Sequence, residues 1–338
     1  MLTEIHSAPR KGLELMVAVS ISVEAMFGLT WPLWKRISAE VEELGFDGLF
    51  RSDHFTLPVP VDLDSLELIV SLCYLAEHTD RVHFGSLVAP LSFRDPVMLA
   101  RQSLAIDDLS GGRMVLGVGA GWEEREHTMF GYELGDITTR FGRFAEGLEV
   151  VARLLRSHDP VSYSGKFFQL EEAILLPRPQ NAGGPPIMVG GSGPQRTLPL
   201  AARYADIWNG QLVTPEQFRE RNEQLDELID AEGRQPKDVR RTMTFIPVCG
   251  RNPAELEARL SWTRRVVPMF AAMPLDALTG MLQESFNAFV GTPEELIEQI
   301  RKYAAAGADE VMLQFAGLDD IEGLEVLAEY ILPEARTL

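Results

Sequence analysis

The stretch Leu109-Ser110-Gly111-Gly112-Arg113-Met114-Val115-Leu116-Gly117-Val118-Gly119-Ala120-Gly121-Trp122 fixes how the chain is read. Ser110-Gly111-Gly112 can adopt the positive backbone angles that stop a helix, and Met114-Val115-Leu116 is a short apolar run of the kind found in strands buried on both faces. Gly117, Gly119 and Gly121 then remove side chains at three alternate positions, so a flat or phosphorylated ligand can lie close to the backbone. The segment predicts a helix end, a buried strand and an open glycine-rich exit.

Outward from it the same unit recurs. On the N-terminal side the pattern predicts a strand over Leu13–Ser20, a helix over Trp31–Leu44 ending at Gly45, a strand over Gly45–Phe50, a helix over Ser65–Ala76, a strand over Val82–Val88 and a helix over Asp95–Leu109. Beyond Trp122 a polar and aromatic excursion runs to about Asp136. A helix over Phe141–Leu155 and a hairpin-like segment over Val161–Leu170 follow. Ile187-Met188-Val189 is a strand closed by Gly190-Gly191-Ser192-Gly193-Pro194. Helix, strand, helix and strand then alternate over Gln195–Tyr204, Ala205–Trp208, Pro215–Glu232 and Arg240–Val248. Asn252–Phe289 is helical in pattern and carries Met269, Met273 and Met281, an adaptable apolar surface. Helix Pro293–Ala306, strand Glu310–Phe315 and helix Ile321–Ile331 complete the chain. Eight alternating units predict an α/β fold, a (β/α)8 TIM barrel forming one domain over residues 1–338, with insertions after strands 4 and 7 at about 121–165 and 251–290. A doubly wound sheet is the second choice. Asp47, Asp206 and Asp309 each stand in a short connection from helix into strand, where a carboxylate can cap backbone N–H groups.

Composition narrows the partners. The 338 residues carry a formal charge of −19, which disfavours a nucleic-acid groove or an anionic membrane surface. No apolar run reaches 18 residues, and the N-terminal Leu13–Val19 run is interrupted by Glu14, so a cytoplasmic protein is expected. Cys73 and Cys249 stand alone in apolar segments and read as buried, reduced thiols. A small-molecule substrate is the expected partner, and the apolar insertion suggests a homodimer.

In a barrel the chemistry gathers where strands end at their carboxyl side. Asp53-His54 follows the second strand, and a carboxylate beside a histidine tunes its proton exchange near neutral pH. Gly190-Gly191-Ser192-Gly193, running into a helix with Pro194 suited to the first helical position, offers backbone N–H groups to an anion. Gly117-Val118-Gly119-Ala120-Gly121-Trp122 lacks the third glycine of a dinucleotide fingerprint. The six histidines lack the spacing of a dedicated metal site, so no metal is expected.

Taken in order, Gly45-Phe46-Asp47, Ser52-Asp53-His54-Phe55, Gly85 to Pro90, Leu109 to Trp122, Pro186 to Pro194, Ala201 to Asn209 and Val290-Gly291-Thr292-Pro293-Glu294-Glu295 resemble the luciferase-like monooxygenase family. The Asp-His pair and the Gly-Ala-Gly-Trp turn are most similar to its branch that uses the deazaflavin coenzyme F420. The resemblance implies a (β/α)8 barrel and an oxidoreductase that transfers a hydride between F420 and a small organic substrate. It implies that Asp53 and His54 sit beside the deazaflavin ring with His54 handling a proton, and that Ser86-Leu87 forms a non-prolyl cis peptide behind the ring. Gly190, Gly191, Ser192 and Gly193 would hold the coenzyme phosphate, while Gly119, Trp122 and Glu123 would border the coenzyme. Sugar-phosphate-oxidising members carry an acidic residue in the turn where this chain has Ala120, which leaves the acid to His54 or to a residue the sequence does not place. The alternatives are an FMN-dependent monooxygenase of the same family, in which reduced flavin activates O2, and a non-catalytic flavin- or deazaflavin-binding protein.

Overall fold

Eight parallel strands close on themselves in the computed structural model, which describes residues 16–267 and 270–338 apart from the side chain of Val266. The strands are β1 (Ala18–Val23), β2 (Gly48–Arg51), β3 (His83–Ser86), β4 (Met114–Gly119), β5 (Ile187–Gly190), β6 (Ile207–Gln211), β7 (Arg240–Phe245) and β8 (Glu310–Phe315). Each pairs in parallel with its sequence neighbour, and β8 pairs with β1. The TIM barrel read from the sequence is therefore the fold. The first strand lies later than the pattern places it, at Ala18–Val23 rather than Leu13–Ser20, and residues 13–15 fall outside the described residues.

The barrel helices are α1 (Trp31–Leu44), α2 (Leu68–His78), α3 (Pro96–Ser110), α4 (Ile137–Arg156), α5 (Thr197–Tyr204), α6 (Pro215–Ala231), α7 (Pro293–Ala305) and α8 (Ile321–Ala335). Local chemistry sets their ends. Asp95 caps α3 by accepting from the Met98 N–H at 2.8 Å, and Gly111, at φ 69°, stops the same helix in the left-handed conformation. The main core lies between this outer ring and the strands, with Trp34, Phe46, Trp208, Phe218 and Tyr303 fully buried. A second cluster of Phe50, Val115, Met188, Ile207 and Met312 comes from five different strands and fills the barrel interior. With Val115 facing inward, the strand period puts Gly117 and Gly119 on that inner face too, toward the carboxyl ends.

The three aspartates of the helix-to-strand connections do cap, and they do so across neighbouring strands. Asp47, ahead of β2, accepts from the Val19 N–H of β1 at 2.8 Å. Asp206, ahead of β6, accepts from Ile187 of β5 at 2.8 Å, and Asp309, ahead of β8, accepts from Arg241 of β7 at 2.7 Å. At each position the aspartate's own N–H returns a bond to the same partner's carbonyl, at 2.8 to 2.9 Å.

Two segments depart from the plain alternation. After β4 the polar and aromatic excursion opens with a short helix, Glu124–Phe130, which the sequence pattern does not predict; α4 and an antiparallel hairpin, Val161–Ser164 with Gln169–Ala173, follow. After β7 the Asn252–Phe289 stretch is not one helix. It forms two, Pro253–Val266 and Leu275–Phe286, beside a short parallel pair, Pro247–Cys249 with Phe289–Gly291. These enclose a small core of Val248, Leu260, Phe270, Leu278 and Leu282, against which Met273 and Met281 pack; Met269 lies outside the described residues. Among the described residues no helix is long and apolar enough to cross a membrane. Cys249 is buried as expected, whereas Cys73 is half-buried.

Candidate functional site

The end of β2 carries four polar residues in succession, and burial divides their work. Arg51 is completely buried, its guanidinium donating to the Ser71 hydroxyl at 2.7 Å and to the Leu66 carbonyl at 2.7 Å. Burial pulls its pKa down to about 10, partly offset by the Asp53 and Glu67 charges. Asp53 gives both carboxylate oxygens to Arg94, at 2.7 and 2.6 Å, and Arg94 also meets Glu67 at 2.9 Å. Such a bidentate pair fixes geometry. Asp53, expected beside the coenzyme as a catalytic group, thus has both oxygens committed to a buried ion pair at the base of the site.

His54, next in the chain, is the group left to act. Its Nδ1 lies 3.0 and 3.2 Å from the two carboxylate oxygens of Glu126, whose side chain is 1% exposed. Its Nε2 lies 3.2 Å from the indole Nε1 of Trp122, which can only donate. Together these set the tautomer: Nδ1–H donates to Glu126, and the Nε2 lone pair accepts from Trp122. Burial works against a charged ring, but the Glu126 hydrogen bond and the charges of Glu24, Glu126 and Asp53 outweigh it and raise the His54 pKa above its ordinary 6.5. Glu126 also accepts from the Phe55 N–H at 3.0 Å, which ties the short helix to the β2 exit.

Glu24, just past β1, supplies a second acid. One of its oxygens accepts from Gln314 Nε2 at 2.9 Å; the other, Oε2, is buried without a partner among the described residues. Burial raises its pKa, against the opposing pull of His54, Ser52 and Arg51. A carboxyl in that state can keep a proton where an exposed glutamate has lost it, and can offer it to a ligand.

The ends of β3, β4 and β5 form a wall around one side chain. A Cβ added at Gly119 would lie 2.6 Å from Val88 Cγ2, and one added at Gly190 would lie 2.7 Å from Val88 Cγ1. Val88 therefore wedges between two strand ends that only glycine can provide. Ser86, fully buried, donates to the Gly117 carbonyl at 2.7 Å, and the Leu87 N–H donates to the Arg51 carbonyl at 2.7 Å. A non-prolyl cis peptide lies at Leu87–Val88, one bond later than the Ser86–Leu87 bond expected, and a second lies away from these strand ends at Pro60–Val61.

The Gly190–Gly193 loop stands at the same rim as His54, since both follow carboxyl ends of parallel strands in one closed barrel. Gly191 takes φ 123°, and its N–H donates to the Asn209 carbonyl at 2.9 Å. The Ser192 hydroxyl bridges to Gln211, donating to its carbonyl at 2.8 Å. The helix begins at Thr197, not at Pro194, and its first two N–H groups, of Thr197 and Leu198, both turn back to the Gly193 carbonyl at 3.0 and 3.1 Å. The helix start thus offers no free N–H group at Thr197 or Leu198, and those left are in the loop itself. Among the described residues the N–H groups of Ser192 and Gly193 have no protein acceptor.

Trp122 is 57% exposed and Glu123 is buried. The Glu123 carboxylate caps the short helix by accepting from the Arg125 N–H at 2.9 Å, so its side chain is engaged locally. Trp122, Thr128, Tyr132 and Arg140 line a cavity of about 470 Å³. Arg140 has no ion-pair partner among the described residues, and its Nε is buried without an acceptor, which is notable in a chain of such negative charge. No group of three or more His, Cys, Asp or Glu side chains among the described residues could hold a metal ion.

Sequence reasoning missed Glu126, Glu24, Val88, Arg94 and Arg140. Glu126 sits in the run Glu123-Glu124-Arg125-Glu126, which reads as solvated charge until Glu123 is recognised as a helix cap.

The sequence model of the luciferase-like monooxygenases matches residues 30–310. The chain belongs to that family. Among curated relatives, the F420-dependent glucose-6-phosphate dehydrogenase of Amycolatopsis mediterranei (strain U-32) is 24% identical over 322 residues, covering 89% of this chain and 93% of the relative. Among solved structures, an F420-dependent secondary alcohol dehydrogenase in complex with an F420-acetone adduct superposes with a TM-score of 0.79 at 21% identity, over 95% of this chain and 100% of that one. EDTA monooxygenase from Chelativorans sp. BNC1 superposes with a TM-score of 0.78 at 18% identity, over 95% of this chain and 93% of that one. Likeness at such identities establishes the shared barrel of the luciferase-like family and nothing finer.

Proposed function

We propose that this luciferase-like protein is an oxidoreductase that transfers a hydride between coenzyme F420 and a small alcohol or its carbonyl partner. The observation that carries the reading is the His54–Glu126 pair at the barrel rim, with Nδ1 tied to the carboxylate at 3.0 Å and Nε2 accepting from the exposed Trp122 indole at 3.2 Å. Interconverting an alcohol and a carbonyl moves a proton as well as a hydride, and this ring can take the proton while Glu126 stabilises the charge. The full-length relative that uses F420 supports the choice of coenzyme.

The residues present fit such a ligand. Gly119 and Gly190 leave the wall behind the site without side chains, Ser192 and Gly193 offer N–H groups, and Arg140 offers an unpaired cation beside the Trp122 cavity. Bound there, the deazaflavin supplies the hydride chemistry. The protein's own work is to seat the anionic tail with the loop and Arg140, to back the ring with Val88 and its two glycines, and to hold a proton at His54 Nε2. Glu24, its pKa raised by burial, stands at the same mouth with one carboxyl oxygen unpartnered among the described residues. Asp53 and Arg94 hold the β2 exit in place. With Cys73 and Cys249 free, the reading also assigns the protein to the reducing cytoplasm.

Titration of the purified protein with F420 and with FMN, each oxidised and reduced, followed by absorbance and fluorescence, tests the reading. F420 binding with reduction by an alcohol, stable in air, is the expected result. Binding of FMN alone, with rapid reoxidation by O2, would replace it with the monooxygenase reading. Binding of F420 without turnover of any alcohol or carbonyl would leave a coenzyme carrier.

A further inference from the structure

Trp122 is the aromatic group at this rim whose placement the functional reading does not require. More than half exposed, its indole is nonetheless held with its N–H on His54 Nε2 and its ring edge-to-face on the imidazole at 5.3 Å between centroids. Ordering an exposed side chain sacrifices rotamer freedom that water at Nε2 would not demand. The contact is also conditional. Once Nε2 carries a proton, the ring has a donor at each nitrogen, and the indole N–H then faces another N–H. A hydroxyl approaching to give its proton to Nε2 competes with the indole for the same lone pair. With more than half of its surface in solvent, the indole has room to swing away.

We propose that Trp122 is a positioning residue whose indole N–H opposes protonation of His54 Nε2 in the resting protein, occupies the place that a substrate hydroxyl takes in turnover, and withdraws when that hydroxyl or a proton arrives. The part concerning substrate rests on the function proposed above; the hold on Nε2 does not. In turnover the hydroxyl proton passes to Nε2, and the O–H electron pair becomes the second bond of the carbonyl. The carbinol C–H leaves with its electron pair as the hydride taken up by the deazaflavin. Trp122 neither gains nor loses a proton. A compound with no donor for the Nε2 lone pair cannot replace the indole, so the residue selects against purely apolar compounds.

The charges facing His54 are those of Glu126 on the short helix, Glu24 beyond β1 and Asp53 in its own segment, the last paired with Arg94 and close to Arg51; Glu123 adjoins Trp122. None of these charges changes when Trp122 becomes phenylalanine, which keeps an aromatic face and removes the N–H together with the ring that bears it. A hydrogen bond donated to Nε2 stabilises the neutral ring, so Trp122→Phe should raise the His54 pKa by about half a unit. The shift is read in coenzyme-free protein by NMR titration of ¹³C-labelled histidine, with His54→Asn assigning the signal. In the same parent, tryptophan emission should show a titration step that Trp122→Phe and His54→Asn both abolish. With F420 present and propan-2-ol as the probe, Trp122→Phe should lower KM two- to fivefold at an unchanged kcat, because the hydroxyl no longer displaces a donor; a mere wall would leave KM where it was. An unchanged or lowered His54 pKa in Trp122→Phe overturns the proposal whatever the activity. A raised pKa in a protein that binds no deazaflavin overturns the functional reading and upholds the indole's hold on Nε2.

Discussion

Replacing Glu126 by glutamine removes a charge from His54 without removing the side chain that fills the space. In the parent the carboxylate meets Nδ1 at 3.0 Å in a setting where its side chain is 1% exposed, so water does not substitute for it. A hydrogen bond to a charged group contributes roughly 1.5 to 3 kcal/mol, and about 1.4 kcal/mol corresponds to one pKa unit, so His54 in Glu126→Gln should titrate about 1 to 2 units lower. The sign follows from the parent. There the folded pKa stands above the unfolded value of 6.5, so the pair adds stability that is fully present below that value and is lost as pH rises through the folded pKa. Glu126→Gln should therefore destabilise the fold by about 1.5 to 3 kcal/mol at pH 6 in urea denaturation, and the difference should shrink or reverse at pH 9. The acid limb of the hydride-transfer rate should move down by the same 1 to 2 units as the NMR titration of His54. An unmoved His54 pKa, or an equal loss of stability at both pH values, would refute the account of the pair.

Three further outcomes are expected. Gly119→Ala places a methyl 2.6 Å from Val88 Cγ2, and Val88, stiff at χ1 and held from its other side by Gly190, has nowhere to go; unfolding free energy should fall by about 1 to 3 kcal/mol and F420 affinity should drop with it, and a variant matching the parent on both counts would contradict the wedge. Asp53→Asn should act on the fold before the chemistry, lowering stability by about 2 to 3 kcal/mol because Arg94 keeps Glu67 as a partner, whereas normal stability with abolished turnover would make Asp53 a catalytic group after all. Asp107, buried near the entry to β4 with one oxygen unpartnered, has its pKa raised to about 6 by desolvation; its contribution is present below the unfolded value of 3.8 and lost as pH rises through about 6, so Asp107→Asn should stabilise by about 1 to 2 kcal/mol at pH 8 and by nothing at pH 4, as measured by urea denaturation.

The barrel was legible because its signals are local. Glycine stops such as Gly45 and Gly111, the aspartates before β2, β6 and β8, and apolar runs such as Met114-Val115-Leu116 each act within a few residues. The resemblance placed His54 and the Gly190–Gly193 loop, and the fold sets both at one rim. Pairings across the chain were not legible. Glu126 reaches His54 over 72 positions and Arg94 reaches Asp53 over 41, and nothing in a single charged residue says which partner folding will bring to it. The Arg94 partner of Asp53 was hidden for that reason, since a carboxylate beside a histidine gives no sign of the arginine that folding brings to both its oxygens. Two misreadings were errors of register. The helix after β5 opens at Thr197 because Pro194 and the two residues after it form a turn, and the cis bond falls at Leu87–Val88.

The paired clamps of Asp47, Asp206 and Asp309 have a consequence for how such a chain can diverge. Each locks two adjacent strands in register at the end where they enter the barrel, using one side chain and one main-chain bond, and none lies where ligands are handled. Alignment of the staves is thereby secured from below. The opposite edge is left free to exchange its loops for longer, shorter or differently charged ones, so substrate preference can drift while the frame that carries it stays the same.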